Sequence, residues 1–202
     1  MLGLSGTLVC IATGGVYPQK ESRRKAFLHR LPEAAIERTH HSVRYDPAYV
    51  RIPYPGGDVP SDTGVCANEV IRSYHALGID LQKEVHEGMQ SNFWRYPNHA
   101  RWMLLHIDTN ISTIGETRTW WCFFKRQGEQ LPISKNAADY NVGELVTRDL
   151  RGGPHIGIVV DMKSASGHYK IVHNIAQGPR VEVVLFKWRI TGRYRYFGPR
   201  TS

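Results

Sequence analysis

Residues 152–175 read GGPHIGIVVDMKSASGHYKIVHNI. Two apolar runs flank a short polar stretch of Ser, Ala and Gly, which is the pattern of a β-hairpin. His155 opens the first strand and His173 lies on the second. With the turn centred on Ser164, Asp161 faces Gly167, Val159 faces Tyr169 and His155 faces His173, leaving a loop from Met162 to Ser166. Directly opposed residues have Cβ atoms about 5 Å apart on one face. A slip of one residue would put the two rings on opposite faces; a slip of two keeps them on one face, slightly further apart.

Working outward, strand patterns cluster in the second half of the chain: Leu131–Ile133, Glu144–Arg148, His155–Asp161, Tyr169–Ile175, Val181–Phe186 and Trp188–Phe197. Helical patterns precede them: Pro32–Arg44, a segment from Cys66 to about Gly78, Leu81–Phe93, and Thr117–Gln127 closed by Gly128. Tyr45–Val59 and Asp108–Gly115 read as loops. Helices first and strands later predict an α+β fold, N-terminal helices packed on an antiparallel sheet. Residues 1–30 read as a leader-like segment and basic arm, with residues 17–32 loosely attached, and residues 31–200 as a single domain.

The helix beginning at Cys66 lies in PSDTGVCANEVIRSY, residues 60–74. Asp62 or Thr63 is placed to cap it, and Gly64 to allow a sharp turn into it. Val65, Val70, Ile71, Tyr74 and Leu77 fall on one stripe. Cys66 is then in the first turn, where unpaired N–H groups and the helix dipole favour an anion. A thiol there loses its proton more readily than a free Cys and acts as a nucleophile. The alternative is a small buried thiol packed beneath a loop. The histidine pair is equally open: a base and its orienting partner, two unrelated half-buried rings, or zinc ligands. No HExxH or CxxC is present, and neither His40-His41 nor His86-Glu87 has ligand spacing, so no metal or cofactor is expected.

The chain has 202 residues, 41% hydrophobic and 22% charged, as an ordinary globular protein has. Its formal net charge of +8 suits a polyanionic partner. Three Cys indicate no disulfide framework, and Cys122, in WWCFF, reads as an inert buried thiol. No stretch is long enough to span a bilayer. The first 16 residues, including Cys10, are apolar and uncharged like a degenerate signal segment lacking a basic n-region.

The order of these pieces resembles the NlpC-type branch of the papain-like cysteine peptidases. The resemblance rests on Cys66 at a helix start, the VGELV strand at 142–146, PHIGIV at 154–159 and IVHN at 171–174. More closely, residues 45–197 resemble a bacterial domain-of-unknown-function family related to that branch. The stretches that carry it are YDPAYVRIPYPGGDVP, GVC, LGIDLQKEVHE, FFKRQG, PHIGIV, VHNI and ITGRYRY. The resemblance implies a papain-like fold, Cys66 as nucleophile, His155 as general base and His173 as orienting residue. Asn174 or Asp62 is the alternate or supporting group. It implies that the backbone N–H of Cys66 stabilises an oxyanion. It also implies cell-wall peptides as substrates, a monomer, and a periplasmic or exported location in the bacterial envelope. Two departures stand out: Ala67-Asn68-Glu69 replaces a Thr-Asp after the Cys, and Ile111–Gly115 replaces a basic loop.

The leading expectation is a cysteine amidase or endopeptidase acting on peptidoglycan. One alternative is a non-catalytic wall-binding module, using aromatics such as Tyr54, Trp94, Tyr96, Trp102, Trp120 and Trp121. Another is a Cys-His acyl transferase. Nucleic-acid binding through Lys187, Arg189, Arg193 and Arg195 is disfavoured, because no nucleic-acid module is visible.

Overall fold

The computed structural model describes residues 16–48, 50, 52–96, 117–151 and 153–199. Among these are four α-helices and an antiparallel sheet of six strands. The helices are α1 (Val16–Arg38), α2 (Cys66–His75), α3 (Leu81–Gln90) and α4 (Thr117–Gln127). Two short parallel strands, β1 (Arg44–Tyr45) and β2 (Thr63–Gly64), precede α2. The large sheet comprises β3 (Glu129–Gln130), β4 (Leu145–Asp149), β5 (Pro154–Lys163), β6 (Tyr169–Asn174), β7 (Pro179–Glu182) and β8 (Arg189–Arg195). Its order is β3-β8-β4-β5-β6-β7. The expected α+β class is therefore found, with helices ahead of an antiparallel sheet.

Alternation along the strands divides the interior in two. Leu145, Ile156, Ile158, Val160 and Val172 enter the larger core with Leu31, Val70, Ile71, Tyr74, Trp120 and Phe124 of the helices. Val146, Val159 and Ile171 enter a smaller cluster with Tyr140, Val184 and Leu185.

The N-terminal reading needs correction. Residues 17–32 are not a loose arm, and no helix runs from Pro32 to Arg44; one helix runs from Val16 to Arg38 with Pro32 inside it. Its Leu31 and Ala35 are fully buried. Phe27 packs on Tyr74 and Phe197, and Arg24 pairs with Glu129 and lies over the Phe197 ring. A proline in a helix interior releases the carbonyl four residues earlier, here that of Leu28. That carbonyl lies against Gly143, whose added Cβ would be 2.9 Å from it; Gly143, at φ +82°, lets the chain ahead of β4 approach.

Other boundaries move by a few residues. The helix expected at Leu81–Phe93, α3, stops at Gln90 and is followed by a 3₁₀ turn at Phe93–Arg95. The strand expected at Leu131–Ile133 forms at Glu129–Gln130, and that at Val181–Phe186 forms at Pro179–Glu182. The loop at Ile111–Gly115, Trp102 and Cys10 lie outside the described residues. Among the described residues no helix is long and apolar enough to cross a membrane.

Candidate active site

The start of α2 is held from four sides. Its N-cap is Val65, not Asp62 or Thr63, and Asn68 Oδ1 accepts the Val65 N–H at 2.9 Å. Thr63 belongs to β2, and its hydroxyl donates to the Pro60 carbonyl. Arg72 reaches back along the helix: Nη2 donates to Thr63 O at 2.9 Å and Pro60 O at 3.0 Å, while Nε donates to Asp58 at 2.6 Å. Glu69 accepts from Arg38 Nε at 3.0 Å, which ties α2 to α1. Asn174 Nδ2 donates to Gly64 O at 3.3 Å, which fixes the start of α2 at the end of β6. Two residues beyond that bond lies Cys66, the first residue of α2 and 5% exposed.

Two of the residues that follow Cys66 have structural work. Asn68 caps the helix and Glu69 pairs with Arg38. Asp62 is exposed, and its main-chain carbonyl accepts from Arg44 N–H. It stands outside the group described next. Asn174 is fully buried and acts on the α2 approach through Gly64, not on the histidines.

The histidines share one face of the hairpin, but they are not directly opposed as the sequence reading had them, because the register is shifted by two. Ile158 faces Val172, Val159 faces Ile171 and Val160 faces Lys170, and an irregularity follows before Lys163 faces Tyr169. His155 and His173 are therefore diagonal neighbours on one face. The shift arises because β5 runs on to Lys163 and the turn falls at Ser164–His168. The rings still meet: centroids are 5.1 Å apart at 77°, and His155 Nε2 is 3.0 Å from His173 Nδ1. His173 Nε2 is in turn 2.8 Å from Glu182 Oε2 on β7. The result is a hydrogen-bonded line, His155–His173–Glu182, across three adjacent strands.

Arg148 flanks this line. It is the residue on β4 directly across from His155, and it is fully buried. Nη1 donates to Val184 O at 2.8 Å, and the guanidinium lies 5.7 Å from the Trp188 ring centroid. Nε and Nη2 have no hydrogen-bond partner among the described residues. Its charge acts on Cys66, Glu182, His155 and His173, so all of these share one electrostatic neighbourhood. Burial lowers Arg148 itself to about 10, with Cys66 and Glu182 opposing the fall.

Burial, then the Arg148 charge, then His173, hold His155 down to about 2. The first two causes hold His173 down to about 4, against the pull of Glu182. Both imidazoles are therefore neutral at neutral pH.

Glu182 and Arg148 escaped the sequence reading. Glu182 lies in PRVEVV, where a charge on an alternating strand reads as solvated surface. Arg148 sits in ELVTRDL, and the one available signal was a lone cation inside an apolar central strand. Among the described residues, no three of His, Cys, Asp or Glu are grouped to hold a metal ion. A cleft of about 300 Å³ is lined by Glu84, Glu87, Phe123, Gln127, Tyr196 and Pro199 among others, and contains none of the residues above.

A family described as a domain of unknown function (DUF1287) matches residues 32–196. That span includes Cys66, Arg148, His155, His173 and Glu182. The uncharacterized protein YijF of Escherichia coli (strain K12) is 42% identical over 170 residues, covering 83% of this chain and 80% of that relative. On the extent of the family match and the identity to this relative, the chain belongs to the DUF1287 family.

Proposed function

We propose that this protein is a papain-like cysteine amidase or endopeptidase acting on peptide or amide bonds of bacterial cell-wall peptidoglycan, in the periplasm or outside the cell. One observation carries the reading: a hydrogen-bonded line of two buried, neutral histidines and a carboxylate, flanked by an arginine whose charge also acts on a cysteine at a helix N-terminus. A nucleophile, a base and a group that orients the base are the components of acyl transfer through a covalent intermediate.

In the proposed cycle His155 takes the proton of the Cys66 thiol as Sγ attacks the carbonyl carbon. The carbonyl oxygen becomes an oxyanion facing the N–H groups at the start of α2. The C–N bond then breaks, and His155 returns the proton to the leaving amine. Water, deprotonated by His155, cleaves the thioester, releasing the acid and restoring the thiol. Nothing in this cycle requires a metal or an organic cofactor. The formal net charge of +8 suits an anionic wall polymer.

The test is mass spectrometry of purified peptidoglycan incubated with the wild-type protein and with Cys66→Ala. New fragments with the wild type alone are expected, and their masses name the bond. Equal fragments from both proteins, or none from either with both folded, refute the reading and move attention to a wall-binding module on the same fold.

A further inference from the structure

We propose that Glu182 fixes the tautomers of both histidines, so that Nδ1 of His155 is the nitrogen that takes the Cys66 proton. The role of that proton rests on the hydrolase reading above; the tautomers themselves do not. A carboxylate can only accept hydrogen bonds. Glu182 Oε2 is 2.8 Å from His173 Nε2, so that nitrogen carries the hydrogen. A neutral imidazole protonated at Nε2 has its lone pair on Nδ1. His155 Nε2 is 3.0 Å from that lone pair, so His155 Nε2 must donate. The one remaining lone pair in the line is then on His155 Nδ1.

The order depends on His173 staying neutral. If it were protonated, both of its nitrogens would donate. His155 Nε2 would have to accept, and His155 would carry its hydrogen on Nδ1, which removes the base. Four groups act on His173 from the surrounding elements: Arg148 from β4, His155 from β5, Glu182 from β7 and Lys187 from the loop before β8. Arg148 and Lys187 oppose a second proton, burial opposes it more strongly, and Glu182 favours it. The balance holds His173 down to about 4. Arg148, buried opposite His155, thus keeps the line in the tautomers that Glu182 selects.

Glu182 is a positioning residue in this account. It ends edge strand β7 with its side chain 42% exposed, so its substitution leaves the core intact. The test is nitrogen-15 NMR of the resting protein, labelled at histidine, at pH 7. In the wild type both His155 and His173 should carry hydrogen on Nε2. In Glu182→Gln the amide can accept or donate, so both rings should become mixtures of tautomers. In turn kcat should fall about a hundredfold with little change in KM. Glu182→Asp should restore the wild-type tautomers in part. Hydrogen on Nδ1 of His155 in the wild type overturns the proposal, as do unchanged tautomers in Glu182→Gln. The spectra need no substrate, so a protein that cleaves no wall peptide refutes the hydrolase reading while leaving the tautomer assignment standing.

Discussion

A methyl group on Gly157 would lie 2.5 Å from Ile171 Cγ2, 2.7 Å from Val172 O and 3.0 Å from Arg148 Nη2. The missing side chain at 157 is therefore the space in which the guanidinium sits. Gly157→Ala should cost about 1–3 kcal/mol through overpacking, read as a lower Tm, and should disturb the two histidines beside Arg148. The histidines also make stability depend on pH. Their folded values lie below the ordinary 6.5, at about 4 for His173 and about 2 for His155. Between these values and pH 6.5 the unfolded chain binds more protons. Their contribution is thus fully present above pH 6.5 and is lost as pH falls through that window, by up to about 1.4 kcal/mol per pH unit for each ring. Denaturant titrations at pH 7.5, 6 and 5 should show this loss, and His173→Gln should reduce it. At this scale the sequence singled out Cys66 and both histidines as candidates, because a first-turn thiol and a hairpin spacing are local patterns. Glu182 and Arg148 were hidden because their roles arise from neighbouring strands, which no local pattern specifies.

Helix α1 shows where local patterns mislead. Pro32 resembles a first-turn proline, and the basic run before it resembles a solvated arm. Burial decides otherwise, since Leu31 is fully enclosed by α2 and the sheet. Leu31→Ala should cost about 2–5 kcal/mol by chemical denaturation, as for other enclosed leucines; a loose arm would lose almost nothing. The hairpin is the converse case. Its strands and the shared face of its histidines were legible, because alternation constrains the face even when the register slips by two. The irregularity near Lys163 was not, since a bulge depends on how the turn closes. The end of the helix at Thr117–Gln127 was read to the residue, marked by Gly128.

Across the whole molecule, two of the four cations weighed for nucleic acid, Arg193 and Arg195, are committed internally, while Lys187 and Arg189 stay exposed. Arg193 and Arg195 both bind Glu144, which is fully buried, and Arg189 pairs with Asp149. Glu144→Gln should leave two guanidinium groups uncompensated and cost about 3–5 kcal/mol, measured as a loss of Tm. The α+β class followed from the order of helical and strand patterns, whereas the sheet order depends on contacts distant in sequence. The central claim, that Cys66 is the activated nucleophile served by His155, has a direct measurement. The rates at which iodoacetamide labels Cys66 and Cys122 at pH 7 can be resolved by peptide mass spectrometry in the wild type and in His155→Gln. Burial raises the Cys122 thiol, so it should react slowly in both proteins. The account predicts that Cys66 reacts at least tenfold faster than Cys122 in the wild type and loses that advantage in His155→Gln. Equal labelling of the two thiols, or a Cys66 rate indifferent to His155, would contradict it.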